Sequence, residues 1–178
     1  MKIDDIVEIR TVSESKRSNT RIIRHKEVKF MDLKELREMV APCGLDCFNC
    51  RHYLANDNEE LRKQIQEGAF TAGYRLSAEE AVCKGCRREN GLIPFRRING
   101  LEPCKVIKCI SSKDIESCAD CSDFPCDNLQ PLADLASTFP HNIKVYNLAL
   151  IRKMGCEKWA LEKAKSVRDT YFTQKFNI

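Results

Sequence analysis

The chain has 178 residues, 30 basic and 26 acidic side chains, and a formal charge of +4. With 43% hydrophobic and 31% charged residues, a disordered chain is excluded and one soluble domain with at most a small appendage is expected. No apolar run approaches the roughly 18 residues that span a bilayer, and the start MKIDDIVEIR has no signal-peptide core, so a cytoplasmic protein with no membrane partner is expected. Eleven cysteines accompany only three histidines. In a reducing compartment such clustered thiols point to metal or redox chemistry, and an odd count disfavours a fully paired disulfide framework.

Residues 1–30 read as an N-terminal extension. Two apolar runs, Ile3 to Ile9 and Ile22 to Phe30, flank the polar stretch TVSESKRSNT, a pattern that allows a short β-hairpin of two strands. Seven basic against two acidic residues lie between 10 and 29, which is ordinarily a solvated face. Leu33, Leu36, Met39 and Val40 share one face of a helix over 32–41. Further helices are expected over 46–56, over 58–70 with Leu61, Ile65 and Phe70 inward, and from Ser77, whose Ser77-x-x-Glu80 pattern is a capping box, into Cys83. Residues 87–102 read as a loop, and Pro103 as the first-turn proline of a helix through Ile110.

Beyond Cys126 the period is helical. Asp127 can cap a helix bearing Leu129, Leu132, Leu135 and Ala136. Asn142 can cap a second, with Ile143, Tyr146, Leu150, Ile151 and Met154 on its stripe and Gly155 at its end. A third carries Trp159, Ala160, Ala164, Val167 and Tyr171, and these stripes read as core. The fold class is therefore mainly α: small helices and metal knuckles around zinc sites, with a C-terminal helical hairpin. Residues 31–130 form a cysteine-rich metal-binding domain, and 131–178 pack helices against it.

Ten cysteines form a spaced series: Cys43, Cys47, Cys50, Cys83, Cys86, Cys104, Cys109, Cys118, Cys121 and Cys126. Three pairs, Cys47/Cys50, Cys83/Cys86 and Cys118/Cys121, have two intervening residues, the spacing that lets both sulfurs of a knuckle reach one ion at about 2.3 Å. Gly85 supplies a positive φ inside the second pair at little cost. The expected ligand sets are Cys47, Cys50, Cys83 and Cys86, with Cys43 as competitor, and four of Cys104, Cys109, Cys118, Cys121 and Cys126. Four thiolates around a divalent ion leave a charge of −2, and Arg51, Lys84, Arg87, Arg88, Lys105 and Lys108 lie nearby in sequence to offset it.

The zinc reading has competitors. Cys43, Cys47 and Cys50 have the spacing of a radical S-adenosylmethionine cluster, but the helical, cysteine-rich sequence after Cys50 argues against it. An ordinary iron–sulfur cluster uses the same ligands. His52 is read as a partner or surface residue, His25 and His141 as structural, and Cys156 as a small apolar residue of the terminal helix.

The string Ala41-Pro-Cys43-Gly44-Leu45-Asp46-Cys47-x-x-Cys50-x-x-Tyr53, then Cys83-x-Gly85-Cys86-Arg87, Cys104-x4-Cys109 and Cys118-Ala-x-Cys121-x-Asp123-Phe124-Pro125-Cys126, resembles a prokaryotic cysteine-rich family of unknown function. The resemblance covers roughly residues 41–130. It implies cysteines suspected of binding zinc and brings no reaction with it; the first forty residues and the basic tail fall outside the pattern.

Three functions compete. A structural zinc module that binds a protein partner is preferred, because small helices and loops have little core of their own and zinc supplies folding free energy on the order of 10 kcal/mol per site. Two ions are expected. The alternatives are an iron–sulfur or thiol-redox protein, with a surplus thiol among residues 104–126 as its reactive group, and a nucleic-acid-binding zinc protein using Phe95, Arg96 and Arg97. No catalytic residue is assigned, since filled four-thiolate sites leave no open position for water or substrate.

Overall fold

The computed structural model describes residues 8–11, 19–24 and 27–175, with side chains from Lys34 onward. Glu8–Thr11 (β1), Asn19–Arg24 (β2) and Glu27–Asp32 (β3) form an antiparallel sheet in the order β1-β2-β3, in which Glu8 pairs with Ile23 and Arg24 with Glu27. The sequence suggested two strands here, and the apolar run from Ile22 to Phe30 is in fact split between β2 and β3. The run from Ile3 to Val7, the polar residues 12–18 and His25 lie outside the described residues.

Among the described residues eight α-helices follow, making the fold mainly α. Leu33–Met39 (α1) buries Leu36 completely and Met39 nearly so, as its period requires. Residues 46–56 make two short turns in place of one helix. Cys47–Asn49 is a 3₁₀ turn and Arg51–Leu54 (α2) a single α turn, separated by Cys50, which is extended at φ −79° and ψ 131°.

Glu59–Thr71 (α3) starts where the Asn58 side chain accepts a hydrogen bond from Leu61 N at 3.0 Å. It buries Leu61 and Ile65 but leaves Phe70 65% exposed. Nine residues at 100° each put Phe70 on the face opposite Leu61. Both reciprocal bonds of the Ser77–Glu80 capping box form, at 2.8 and 3.2 Å, yet only one turn follows. The chain leaves it because Ala81 is fully buried and Cys83 N must donate to His52 O at 2.9 Å.

Inside the expected loop at 87–102, Pro94–Ile98 (α4) is helical, with proline in its first turn and Phe95 packed on Phe139 at 5.1 Å. Lys105–Ser112 (α5) begins after Cys104, so Pro103 lies before the cap instead of inside the first turn. The helix expected from Asp127 stops at Leu129. Pro131 removes a backbone donor and forces Gln130 to ψ 134°, leaving Leu132 and Leu135 exposed.

Lys144–Met154 (α6) begins beyond Asn142, whose side chain accepts from Leu132 N instead of capping the helix. Its inward stripe is Asn147, Leu148 and Ile151, while Tyr146 faces solvent. Gly155 at φ 85° ends α6, and the last stretch breaks at Lys163 into Cys156–Glu162 (α7) and Ala164–Thr173 (α8).

One core joins the cysteine region to the C-terminal helices. Leu36, Phe48, Val106, Ile110, Leu129, Leu148 and Trp159 belong to a single apolar cluster that also holds Cys43 and Cys118. Trp159 is fully buried and meets the Phe48 ring edge-on at 6.1 Å. A small satellite of Ala55, Leu61, Ile65 and Ala81 sits under α3. Among the described residues no helix is long and apolar enough to cross a membrane.

Candidate metal centre

The Cys47/Cys50 and Cys118/Cys121 turns have the same backbone form. In each, the first cysteine opens a three-residue 3₁₀ turn and the second is extended, at φ −79° and −76°. The second cysteine's N–H returns to the first one's carbonyl, Cys50 to Cys47 at 2.8 Å and Cys121 to Cys118 at 3.3 Å. A side chain fixes the start of each turn. Asp46 accepts from Asn49 Nδ2 at 3.0 Å, and Ser117 and Asp120 close a capping box around the other. The two segments touch through Cys118 N, which donates to Pro42 O at 3.0 Å. In the third pair, Gly85 at φ 92° lets its N–H point at Cys83 Sγ, 3.4 Å away.

Three arginines brace these turns. Arg168 donates to both carboxylate oxygens of Asp46 at 2.6 and 2.7 Å. Arg152 donates to Ala119 O at 2.8 Å and Cys121 O at 2.6 Å, and its guanidinium lies over the Phe124 ring at 4.8 Å. Arg87 joins Val40 O to Glu116 O. Asp46 and Asn147, both fully buried, are thus satisfied: Asn147 donates to Gly44 O at 2.8 Å and accepts from the Trp159 indole at 3.3 Å.

The thiols fall into two neighbourhoods. Cys109, Cys118, Cys121 and Cys126 line one small cavity together with Lys113, whose ammonium donates to Cys121 Sγ at 3.4 Å and pairs with Asp123. Burial, and then the neighbouring thiols led by Cys126 and Cys109, push Cys118 up to about 11. Elsewhere Cys47 and Cys86 are hydrogen-bonded, which raises Cys47 well above the usual thiol range and lowers Cys86. Burial lifts Cys43 to about 12; Lys144 opposes this, and Cys86 and Cys104 add to it. Cys83 is also raised to about 12, by burial first, with the Gly85 N–H working against it.

Cys104 does not line the cavity of the other four, and it acts electrostatically on both Cys43 and Cys118, between the two neighbourhoods. Among the described residues, no three or more of these side chains converge closely enough to enclose an ion. The donor set nonetheless suits a soft or borderline cation. It is all thiol, backbone and ammonium N–H groups point at sulfur, and burial makes the uncompensated thiolates costly.

The cations facing the thiols differ from those near them in sequence. Lys113, Lys144 and Arg168 act on Cys121, on Cys43 and Cys86, and on Cys47 and Cys50. Arg88 instead pairs with Glu38 at 3.6 Å, and Arg87 is occupied by carbonyls. His52 donates from Nδ1 to Ala81 O at 3.0 Å, His141 bonds Leu132 O at 2.7 Å, and Cys156 is half-buried at the start of α7. Phe95, Arg96 and Arg97 are absorbed structurally: Phe95 packs on Phe139, Arg96 bonds Glu102 O, and Arg97 bonds Leu92 O and Glu89.

Residues 39–131, which hold all ten spaced cysteines and both 3₁₀ turns, match the family described as Protein of unknown function (DUF3795). The chain belongs to this family. The match takes in α1's end, both thiol neighbourhoods, the bracing Arg87 and the 3₁₀ turn at Asp127–Leu129, while the bracing Arg152 and Arg168 and the cation Lys144 lie outside it. Comparison with curated proteins and with solved structures gave no match.

Proposed function

We propose that the chain is a zinc-binding module whose thiolate sites are structural and hold a surface for a protein partner. The observation that carries the reading is the cavity shared by Cys109, Cys118, Cys121 and Cys126, with Lys113 donating to one of its sulfurs. Those four close on one ion when it binds, leaving Cys104 as the spare of its group. The other ion is held by Cys47, Cys50, Cys83 and Cys86, with Cys43 beside them. Zinc there supplies folding free energy and fixes the 3₁₀ turns; a filled four-sulfur shell gives no position for substrate. The compartment is the cytoplasm, where thiols stay reduced.

Paired serine variants test the assignment. Cys118→Ser with Cys121→Ser removes one of two zinc ions, and Cys47→Ser with Cys86→Ser removes the other, each read by elemental analysis of reduced protein. Retention of both ions in either pair would defeat the assignment.

A further inference from the structure

The junction of α6, α7 and α8 carries a concavity of about 500 Å³ lined by Leu150, Lys153, Met154, Lys158 and Lys163. That volume falls within the roughly 300–1,000 Å³ typical of small-molecule pockets. Three of its five lining residues are lysines. None of the three has an acidic partner among the described residues, although acidic groups lie close in sequence: Glu157 is taken by Arg37 at 2.6 Å and Asp169 by Lys165, while Glu162 pairs with no lysine of the pocket. Arg152, beside Lys153, is turned away onto the carbonyls of Ala119 and Cys121.

The arrangement is imposed by the backbone. Gly155 at positive φ reverses the chain between Lys153 and Lys158, and the break at Lys163, φ −125°, swings that residue out of the helical path of α7. The three lysines are solvent-exposed, and like charges gathered around one open concavity repel one another and raise a positive potential there, which an anion relieves. Lysine ammoniums are suited to phosphate as point charges, whereas the half-buried Leu150 and Met154 offer a floor to carbon.

We propose that this concavity binds a small organic phosphate, its phosphate held by Lys153, Lys158 and Lys163 and its carbon portion resting on Leu150 and Met154. The site contains none of the thiols, and its test is made on the protein as purified, apart from the metal assignment.

Phenyl phosphate is the probe, added to isotope-labelled full-length protein and followed by NMR. Saturable shifts confined to residues 150–163 are expected, with inorganic phosphate binding more weakly because it lacks the ring. The triple variant Lys153→Gln, Lys158→Gln, Lys163→Gln should weaken binding by about tenfold or more, the scale of losing charge-assisted hydrogen bonds. A matching triple arginine variant should retain it. No saturable shift, equal affinity for the two phosphates, or shifts unchanged in the glutamine variant would overturn the proposal. So would binding to phosphatidylcholine vesicles carrying phosphatidic acid, or to a single-stranded RNA, in the absence of phenyl phosphate binding, since these would mark a macromolecular surface.

Discussion

Arg168, on the last helix, grips both carboxylate oxygens of Asp46 at 2.6 and 2.7 Å across 122 residues of sequence. Asp46 is fully buried, with 0% of its surface in water, and its own backbone carbonyl also accepts from Arg168. The pair locks the residue between Cys43 and Cys47 to the C-terminal helix. Removing one partner strands the other as a buried charge. Arg168→Met is therefore expected to cost about 3–5 kcal/mol, far above an exposed ion pair. Chemical denaturation checks it, and a double-mutant cycle with Asp46→Asn should show strong coupling. A loss below about 1 kcal/mol would mean that the pair does not brace the turn.

Three glycines should respond to alanine with different signs and sizes. Gly44 sits at φ 84°, and an added Cβ would lie 2.8 Å from Leu148 Cγ and 3.0 Å from Lys144 O, so strain and overlap together should cost about 2–4 kcal/mol. Gly73, at φ 86° with open space around it, should cost only the strain, about 1–2 kcal/mol. Gly68 is helical, exposed and uncrowded, so Gly68→Ala should stabilise by about 0.5–1 kcal/mol. Thermal unfolding of the three variants gives the order directly; a Gly44 effect no larger than that of Gly73 would remove the close approach of α6 from the account.

His52 gives a pH dependence. Burial, the largest influence, holds its pKa below the ordinary 6.5, against the opposing bond to Ala81 O. The unfolded chain thus takes up this proton first as pH falls. The contribution is complete above pH 6.5 and is lost as pH drops from there toward the lowered folded value. NMR titration of the His52 ring should find a midpoint below 6.5, and a midpoint above it would contradict the buried position.

Zinc removal should be felt beyond the cysteines. If the small helices and loops of 43–126 had a core separate from the terminal helices, chelation would unfold them alone. The shared core argues otherwise, because Leu148 and Trp159 pack in the same cluster as Cys43, Phe48 and Cys118. Hydrogen exchange after chelation should rise both across 43–126 and at 147–160. Loss confined to 43–126 would show two independent units.

Local signals were legible where local physics decides the outcome. The α1 stripe and the Asn58 cap of α3 are written in spacing and cap chemistry, as is Gly155 between the last helices. The capping box at Ser77 was also read correctly as a bond pattern, but its helix was aborted by the burial of Ala81 and the bond from Cys83 to His52. Pro131 was the neglected signal behind the missing helix at 129–136.

The stripe of α6 misled because a polar residue, Asn147, takes the inward position that period assigns to an apolar one. Its partners, Gly44 O and the Trp159 indole, are 103 and 12 residues away. The same holds for the candidate site. Spacing singled out the ten cysteines, but nothing local tells that Cys104 stays out of the cavity that Cys109 lines, or that Lys113, Lys144 and Arg168 are the cations that act on the sulfurs. Asp46 inside the first cysteine motif becomes informative only once its burial is known, since a buried carboxylate requires a partner.

The most direct test of the account is metal analysis of the full-length protein purified anaerobically in reductant, combined with a thiol count. The account predicts two zinc ions per chain, with eight thiols protected from alkylation until a chelator is added. Protein free of metal yet folded, or protein carrying iron with broad visible absorbance, would contradict it.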